Sequence, residues 1–175
     1  MTFTPTPVPA GELLLRLFTP EDAEQITAVA ADPEIVTWNP IKRPVDEWIA
    51  GRADWSDGTH ASWAVVSAAD PAVVMGAVSL HHIDLDQLDS EVGYWVAPAF
   101  RRQRVGARAL RAAAQFGFDA LGLHRVHLYH AIENVGSCRV AETAGFPYEG
   151  THRESYRFAD GNWHNEHSHA RLASD

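Results

Sequence analysis

Residues 91–120, EVGYWVAPAFRRQRVGARALRAAAQFGFDA, set the reading of the chain. Val92, Tyr94 and Val96 alternate with Glu91, Gly93 and Trp95, the two-residue period of a β-strand. Pro98 has no N–H to give a ladder and closes the strand. Arg101, Arg102, Gln103 and Arg104 follow without an apolar residue. From Val105 the apolar positions Val105, Ala109, Ala112, Ala113, Phe116 and Leu121 fall at helical spacing. A helix start exposes N–H groups without intrahelical partners and carries a partial positive charge. Three arginines and Gly106 at that point suit a phosphorylated ligand, a pyrophosphate above all. A solvated basic turn fits these residues equally well.

The surrounding composition bears on that choice. The 175 residues carry a net charge of −9 and a pI near 5.5. Such a chain is not expected to offer a general surface for nucleic acid or an acidic membrane, so the clustered arginines run against the background. A hydrophobic content of 46% supports one domain with a sizeable core. The one cysteine, Cys138, excludes an internal disulfide and fits a reducing, cytoplasmic location. No apolar run approaches the roughly 20 residues of a membrane span. The opening MTFTPTPVPA has no basic residue and no apolar segment of a signal peptide. Its prolines predict an extended, disordered tail over 1–10, with one domain over 11–175.

Along the chain, 12–18 reads as a strand, and Thr19-Pro20-Glu21-Asp22 as the capped start of a helix reaching Ala31. Asp32-Pro33 stops it. A helical turn over 34–38 and a helix from Pro44 to about Trp55 follow, the latter with Val45, Trp48, Ile49 and Ala53 on one stripe. The period then changes to that of strands over 61–68, 73–82 and 91–96, joined by turns and therefore an antiparallel meander. After the long helix come a strand over 125–131, a short helix over 134–144 stopped by Gly145, and strand segments 146–149, 151–158 and 162–172 that close a hairpin around Asp160-Gly161. The sum is an α+β domain with a mixed, mostly antiparallel central sheet of about seven strands flanked by helices.

Other phosphate-binding words are missing: no G-x-x-x-x-G-K-[ST], no G-x-G-x-x-G after a strand, and no G-x-S-x-G elbow. His164, His167 and His169 lie on one predicted strand, with 167 and 169 facing the same way. No carboxylate or cysteine completes a ligand spacing with them, so no metal is expected.

Five segments in order resemble the GNAT N-acetyltransferase superfamily, and within it the RimJ/RimL-like branch that acetylates α-amino groups of protein N-termini. They are LLLRLFTPEDAE (13–24), DPEIVTW (32–38), the stretch 91–126 from Glu91 to Val126, ENVGSCRVAETAGFPYEGTHRE (133–154), and the G-x-W at 161–163. The resemblance covers nearly everything after the tail. It implies acetyl-CoA as co-substrate, lying in a gap between the strands at 91–97 and 125–131. Backbone groups near Trp95 and Val96 would hold the pantetheine. Arg101, Arg102, Gln103, Arg104, Val105, Gly106 and Ala107 would hold the pyrophosphate, with Asn134 and Ser137 as further ligands. A primary amine, either a protein N-terminus or a small molecule, would attack the thioester without an acyl-enzyme. Glu91 would serve as the base and Ser137 as partner of the leaving thiolate, with Tyr129 an alternative for the latter. Strand capping by Glu91 and helix capping by Asn134 stay open beside these roles, and Cys138 reads as a packed thiol. Trp38, His81, His82, Asp84 and Tyr156 are expected to line the acceptor pocket, and a homodimer is implied by the resemblance alone.

One departure stands out. The family loop usually reads R/Q-x-x-G-x-G/A, and here Arg104 occupies the first glycine position. A non-glycine can still offer its N–H there where its φ is negative. A non-catalytic acyl-CoA-binding or scaffold protein, and an acyltransferase for another donor such as succinyl-CoA, are the alternatives this departure and the extra arginines leave open.

Overall fold

The structure, a computed structural model, describes residues 3–41 and 44–175. Eight strands form one sheet: β1 (Val8–Ala10), β2 (Leu13–Arg16), β3 (Ala61–Ser67), β4 (Val74–Asp84), β5 (Asp89–Val96), β6 (Arg125–Ala131), β7 (Tyr148–Arg157) and β8 (Trp163–Leu172), in the spatial order β1-β2-β3-β4-β5-β6-β8-β7. Every neighbouring pair is antiparallel except β5–β6. The α+β reading and the meander of β3, β4 and β5 hold. Counting about seven strands missed β1.

That strand also corrects the disordered tail. Val8 pairs with Leu15 and Ala10 with Leu13. Thr6 C=O accepts from Trp63 Nε1 at 2.8 Å, and Phe3 lies edge-on to Trp55. The prolines set an extended backbone, as read, but the outer edge of β2 and the rings of Trp55 and Trp63 give that backbone partners. Met1 and Thr2, also within the expected tail, lie outside the described residues.

Helices cover both faces. α1 (Ala23–Ala30), α2 (Pro33–Trp38) and α3 (Val45–Ala53) pack Ile26, Val29, Ile35 and Ile49 against Ala64, Ala77 and Trp95 of the sheet. On the other face α4 (Val105–Leu121) and α5 (Val135–Ala144) bury Leu110, Ala113 and Ala141 against Val78, Leu80, Val92, Val126 and Leu128. Small residues on α4 let it lie close to the strands. A Cβ on Gly106 would stand 2.9 Å from Tyr94 Cε2 and 3.3 Å from Val140 Cγ1, so only glycine fits there without movement. Gly145, at φ 86°, ends α5 in the left-handed conformation its position predicts.

The parallel pair fixes the site. β5 and β6 share only three register positions, Asp89↔Arg125, Ser90↔Val126 and Glu91↔His127. Beyond them β6 stays paired with β8 and β5 with β4, so the two central strands part and leave a wedge. Leu88 C=O, accepting from the N–H groups of His124 and Arg125 at 2.7 and 3.1 Å, pins its closed end.

Candidate active site

Ala97 N–H donates to Met75 C=O at 2.9 Å. By the alternation of an antiparallel ladder, residues 91, 93 and 95 therefore turn their backbone groups to β4, while 92, 94 and 96 turn theirs to the wedge. This corrects Trp95 as a backbone ligand: its peptide faces β4 and its ring is core on the α1–α3 side. Val96 and Tyr94 do face the wedge, but their carbonyls already accept from Arg101 Nε at 3.3 Å and Asn39 Nδ2 at 3.1 Å.

At the mouth of the wedge stands the basic turn. Arg104 caps α4 with φ 60° and ψ 16°, and Arg102 also has a positive φ of 64°. The condition under which a non-glycine at 104 would offer its N–H, a negative φ, is not met. The chain keeps the left-handed turn that a glycine would favour and builds it with arginine. Arg108 N–H donates to Arg104 C=O at 3.1 Å, which closes the first turn of the helix. The N–H groups of Val105, Gly106 and Ala107 precede that bond and have no acceptor within the helix.

The arginines divide in role. Arg101 turns its guanidinium to Asp32, in a short bidentate pair, and to Glu34 at 3.3 Å, joining the start of α2 to the end of β5. The pair holds the Asp32 carboxyl below its ordinary range. Arg101 as a pyrophosphate ligand is corrected accordingly: its charge is committed to two carboxylates. Arg102 and Arg104 are exposed, and among the described residues neither side chain has an ion-pair partner. Gln103 donates to Ala99 C=O at 3.0 Å.

On the α4–α5 side of the wedge, Tyr94 O–H donates to Ser137 Oγ at 3.3 Å. Burial pushes the Tyr94 phenol up to about 12, so it stays protonated. Ser137 is buried at the start of α5, where its N–H donates to the Asn134 carboxamide oxygen at 3.1 Å. Asn134 is a helix cap, the plainer of its two readings, and its side-chain oxygen is used within the chain. Tyr129 is not brought to Ser137; its ring packs on His127 and His152, 5.2 and 5.3 Å between centroids.

The opposite side of the sheet carries Glu91. Its carboxylate pairs with His82 Nδ1 at 3.6 Å. Burial raises its pKa, the charge of Glu166 adds to the rise, and His82 opposes it. Glu166, buried on β8, accepts from Ser155 Oγ at 2.9 Å and is raised by burial as well. His81 sits directly across the ladder from Glu91 and is pushed down to about 3, chiefly by burial and then by Arg52, so it is neutral. Arg52 reaches from α3 to Ser79 Oγ at 3.1 Å and to the His81 ring, with its guanidinium 5.2 Å from the Trp48 ring centre. Trp48, Arg52, Ser79, His81, Gly93 and Trp95 line a cavity between α3 and the sheet.

Of the expected acceptor residues, His81 lines this cavity and His82 touches Glu91. Trp38 stacks edge-on to Phe158 at 5.5 Å and to His164 at 6.3 Å, and Tyr156 packs on Phe158 at 4.8 Å, forming an aromatic rim. Asp84 is corrected: its carboxylate accepts the N–H groups of Asp86 and Gln87, both at 2.9 Å, and caps the β4–β5 turn. Tyr94, Arg52 and Glu166 were missed. Tyr94 read only as part of the strand alternation, and Glu166 sits within a histidine-rich word that drew attention to its neighbours.

The sheet thus splits beside a basic helix start, with a carboxylate at the split and a hydroxyl pair behind it. Residues 12–147 match the family model described as acetyltransferase (GNAT) domain, and the chain belongs to that family. YdaF of Bacillus subtilis (strain 168), named as a ribosomal N-acetyltransferase, is 35% identical over 79 residues, which span 45% of this chain and 43% of YdaF. Mycobacterium smegmatis RimJ, solved with CoA-disulfide, shares the fold with a TM-score of 0.82 at 24% identity, over 97% of this chain and 87% of RimJ. RimL, a ribosomal L7/L12 alpha-N-protein acetyltransferase solved with coenzyme A, shares it with a TM-score of 0.82 at 16% identity, over 97% and 100%. Among the described residues no helix is long and apolar enough to cross a membrane.

Proposed function

We propose that residues 11–175 form one domain that moves an acetyl group from acetyl-CoA directly to a primary amine, without an acyl-enzyme. The observation that carries this is the wedge between β5 and β6, with Glu91 at its apex and the Tyr94–Ser137 pair on its α4–α5 side. The N–H groups of Val105, Gly106 and Ala107, with the charges of Arg102 and Arg104, suit a pyrophosphate at the wedge mouth. Wedge-facing groups of 92, 94 and 96 suit the pantetheine amides.

Glu91 then acts as the base. Its raised pKa lies on the side that suits proton removal near neutrality, and it takes a proton from the ammonium of the acceptor. The freed amine attacks the thioester carbonyl to form the carbon–nitrogen bond, the carbon–sulfur bond breaks with its electron pair on sulfur, and the second proton shed by the nitrogen ends on that sulfur as CoA thiol. Ser137 accepts a hydrogen bond from Tyr94, which leaves its own O–H free for that sulfur. The acceptor enters past Trp38, Tyr156 and Phe158, and Glu91 and Glu166 favour a cationic amine there. A protein N-terminal α-amine fits the name of RimL, an alpha-N-protein acetyltransferase.

Release of CoA thiol in the presence of acetyl-CoA and a panel of peptides, amino acids and polyamines tests the proposal. Amine-dependent release that drops by about 10²–10⁴-fold in Glu91→Gln supports it. Acetyl-CoA bound normally with no release to any amine overturns it.

A further inference from the structure

Behind Ser137, four side chains from three elements meet on the α4–α5 face of the sheet. His130 on β6, His167 and His169 on β8, and Cys138 on α5 each present one donor atom, and these atoms all lie within 4.8 Å of one another. His130 and His167 are direct cross-strand neighbours, and His169 follows two residues on along β8. The sequence spacing of the histidines did not include Cys138, because the helix delivers it from another part of the chain.

The hydrogen bonds fix how the rings point. His130 Nδ1 lies 2.8 Å from Ala131 C=O, and His169 Nδ1 lies 3.0 Å from Phe146 C=O. A carbonyl only accepts, so each Nδ1 carries the proton, and in a neutral ring each Nε2 is left with a lone pair. Yet the two Nε2 atoms face each other at 3.3 Å, with the rings stacked at 27°. Two lone pairs at that distance repel unless a cation lies between them. Cys138 Sγ stands 3.8 Å from His169 Nε2, and His167 Nδ1 is buried without a hydrogen-bond partner among the described residues. Zinc takes imidazole nitrogen at about 2.0–2.1 Å and thiolate sulfur at about 2.3 Å, which makes the edges of its tetrahedron about 3.3 Å for N···N and about 3.6 Å for N···S. The chain's 3.3 and 3.8 Å separations match those edges. The backbone carbonyls on the far ring nitrogens supply the outer hydrogen bonds that orient metal-binding imidazoles.

We propose that His130, Cys138, His167 and His169 form a binding site for one divalent transition metal of the zinc type, which ties α5 to β6 and β8. With four protein ligands the site is closed, so the ion is structural and takes no part in acyl transfer. Binding replaces the Cys138 S–H with a sulfur–metal bond and releases its proton to solvent. By clamping α5 the ion also fixes Ser137, one residue before Cys138.

The test is metal analysis of the full chain as purified, followed by EDTA treatment and titration with cobalt(II). About one metal ion per chain is expected, with a tetrahedral cobalt spectrum that includes a thiolate charge-transfer band. In Cys138→Ser the thiolate band disappears. In His169→Ala the affinity falls by more than the roughly 10–100-fold that loss of an outer-shell partner costs. Circular dichroism of both variants checks that they fold, and removal of the ion from the wild type lowers its melting temperature. A folded wild-type chain that binds neither zinc nor cobalt overturns the site. A wild-type cobalt spectrum that lacks the thiolate band overturns it too. Neither result depends on acetyl transfer.

Discussion

Replacing Arg104 by glycine tests the geometry of the phosphate turn. Arg104 holds φ 60° and ψ 16°, a left-handed conformation that costs a residue with a Cβ about 1–2 kcal/mol. Glycine escapes that cost but brings a more disordered unfolded chain, worth about 0.4–1 kcal/mol against it. Arg104→Ala keeps the strain and removes the same charge, so the two variants differ only in backbone freedom. Arg104→Gly is expected to be more stable than Arg104→Ala by about 0.5–1 kcal/mol, which for a chain of this size is about 1–4 °C in melting temperature. Thermal unfolding of the two variants side by side measures it, and acetyl-CoA binding should weaken alike in both. A glycine variant that melts at or below the alanine one refutes the left-handed turn.

Four further outcomes follow from the contacts described. Arg102→Ala should weaken acetyl-CoA binding more than Arg101→Ala in calorimetry, because Arg101 is paired with Asp32 and Glu34. Arg101→Ala should instead lower stability, by about 1 kcal/mol for a largely buried pair at the surface, in chemical denaturation. Gly106→Ala drives a methyl to 2.9 Å from the Tyr94 ring, and overpacking of this kind costs about 1–3 kcal/mol; the melting temperature and the acetyl-CoA affinity should fall together. Burial raises the Glu166 carboxyl above its unfolded value, so the folded state binds the extra proton. Its stabilising contribution is full below the unfolded pKa and is lost as pH rises through the folded one. Glu166→Gln should therefore flatten the decline of melting temperature across that window, and an unchanged slope would contradict the assignment.

The parts of the fold legible in sequence were those with a strong local period. The alternation over 91–96, the helical spacing from Val105 and the turn words between β3, β4 and β5 each specify an element with little help from elsewhere. β1 was not legible, because proline-rich extended backbone becomes a strand only when an edge such as β2 is there to pair it. The site divides the same way. Glu91, Ser137 and the turn at 101–106 sit in local words, whereas the partners of those residues come from distant segments. Arg101 faces Asp32 from 69 positions away, Tyr94 reaches Ser137 across 43, and Cys138 meets His169 across 31. No spacing rule along the chain contains such pairs. Asp84 failed for the opposite reason: its local turn chemistry was sufficient to hold the carboxylate, and proximity to His82 in sequence carried no information about direction.

Calorimetric titration of acetyl-CoA into the full chain tests the central claim most directly, since every role assigned to Glu91, Tyr94 and Ser137 presumes an occupied wedge. One site of micromolar affinity, weakened in Arg102→Ala, is the predicted result. A folded chain that takes up neither acetyl-CoA nor any other acyl-CoA would contradict the account.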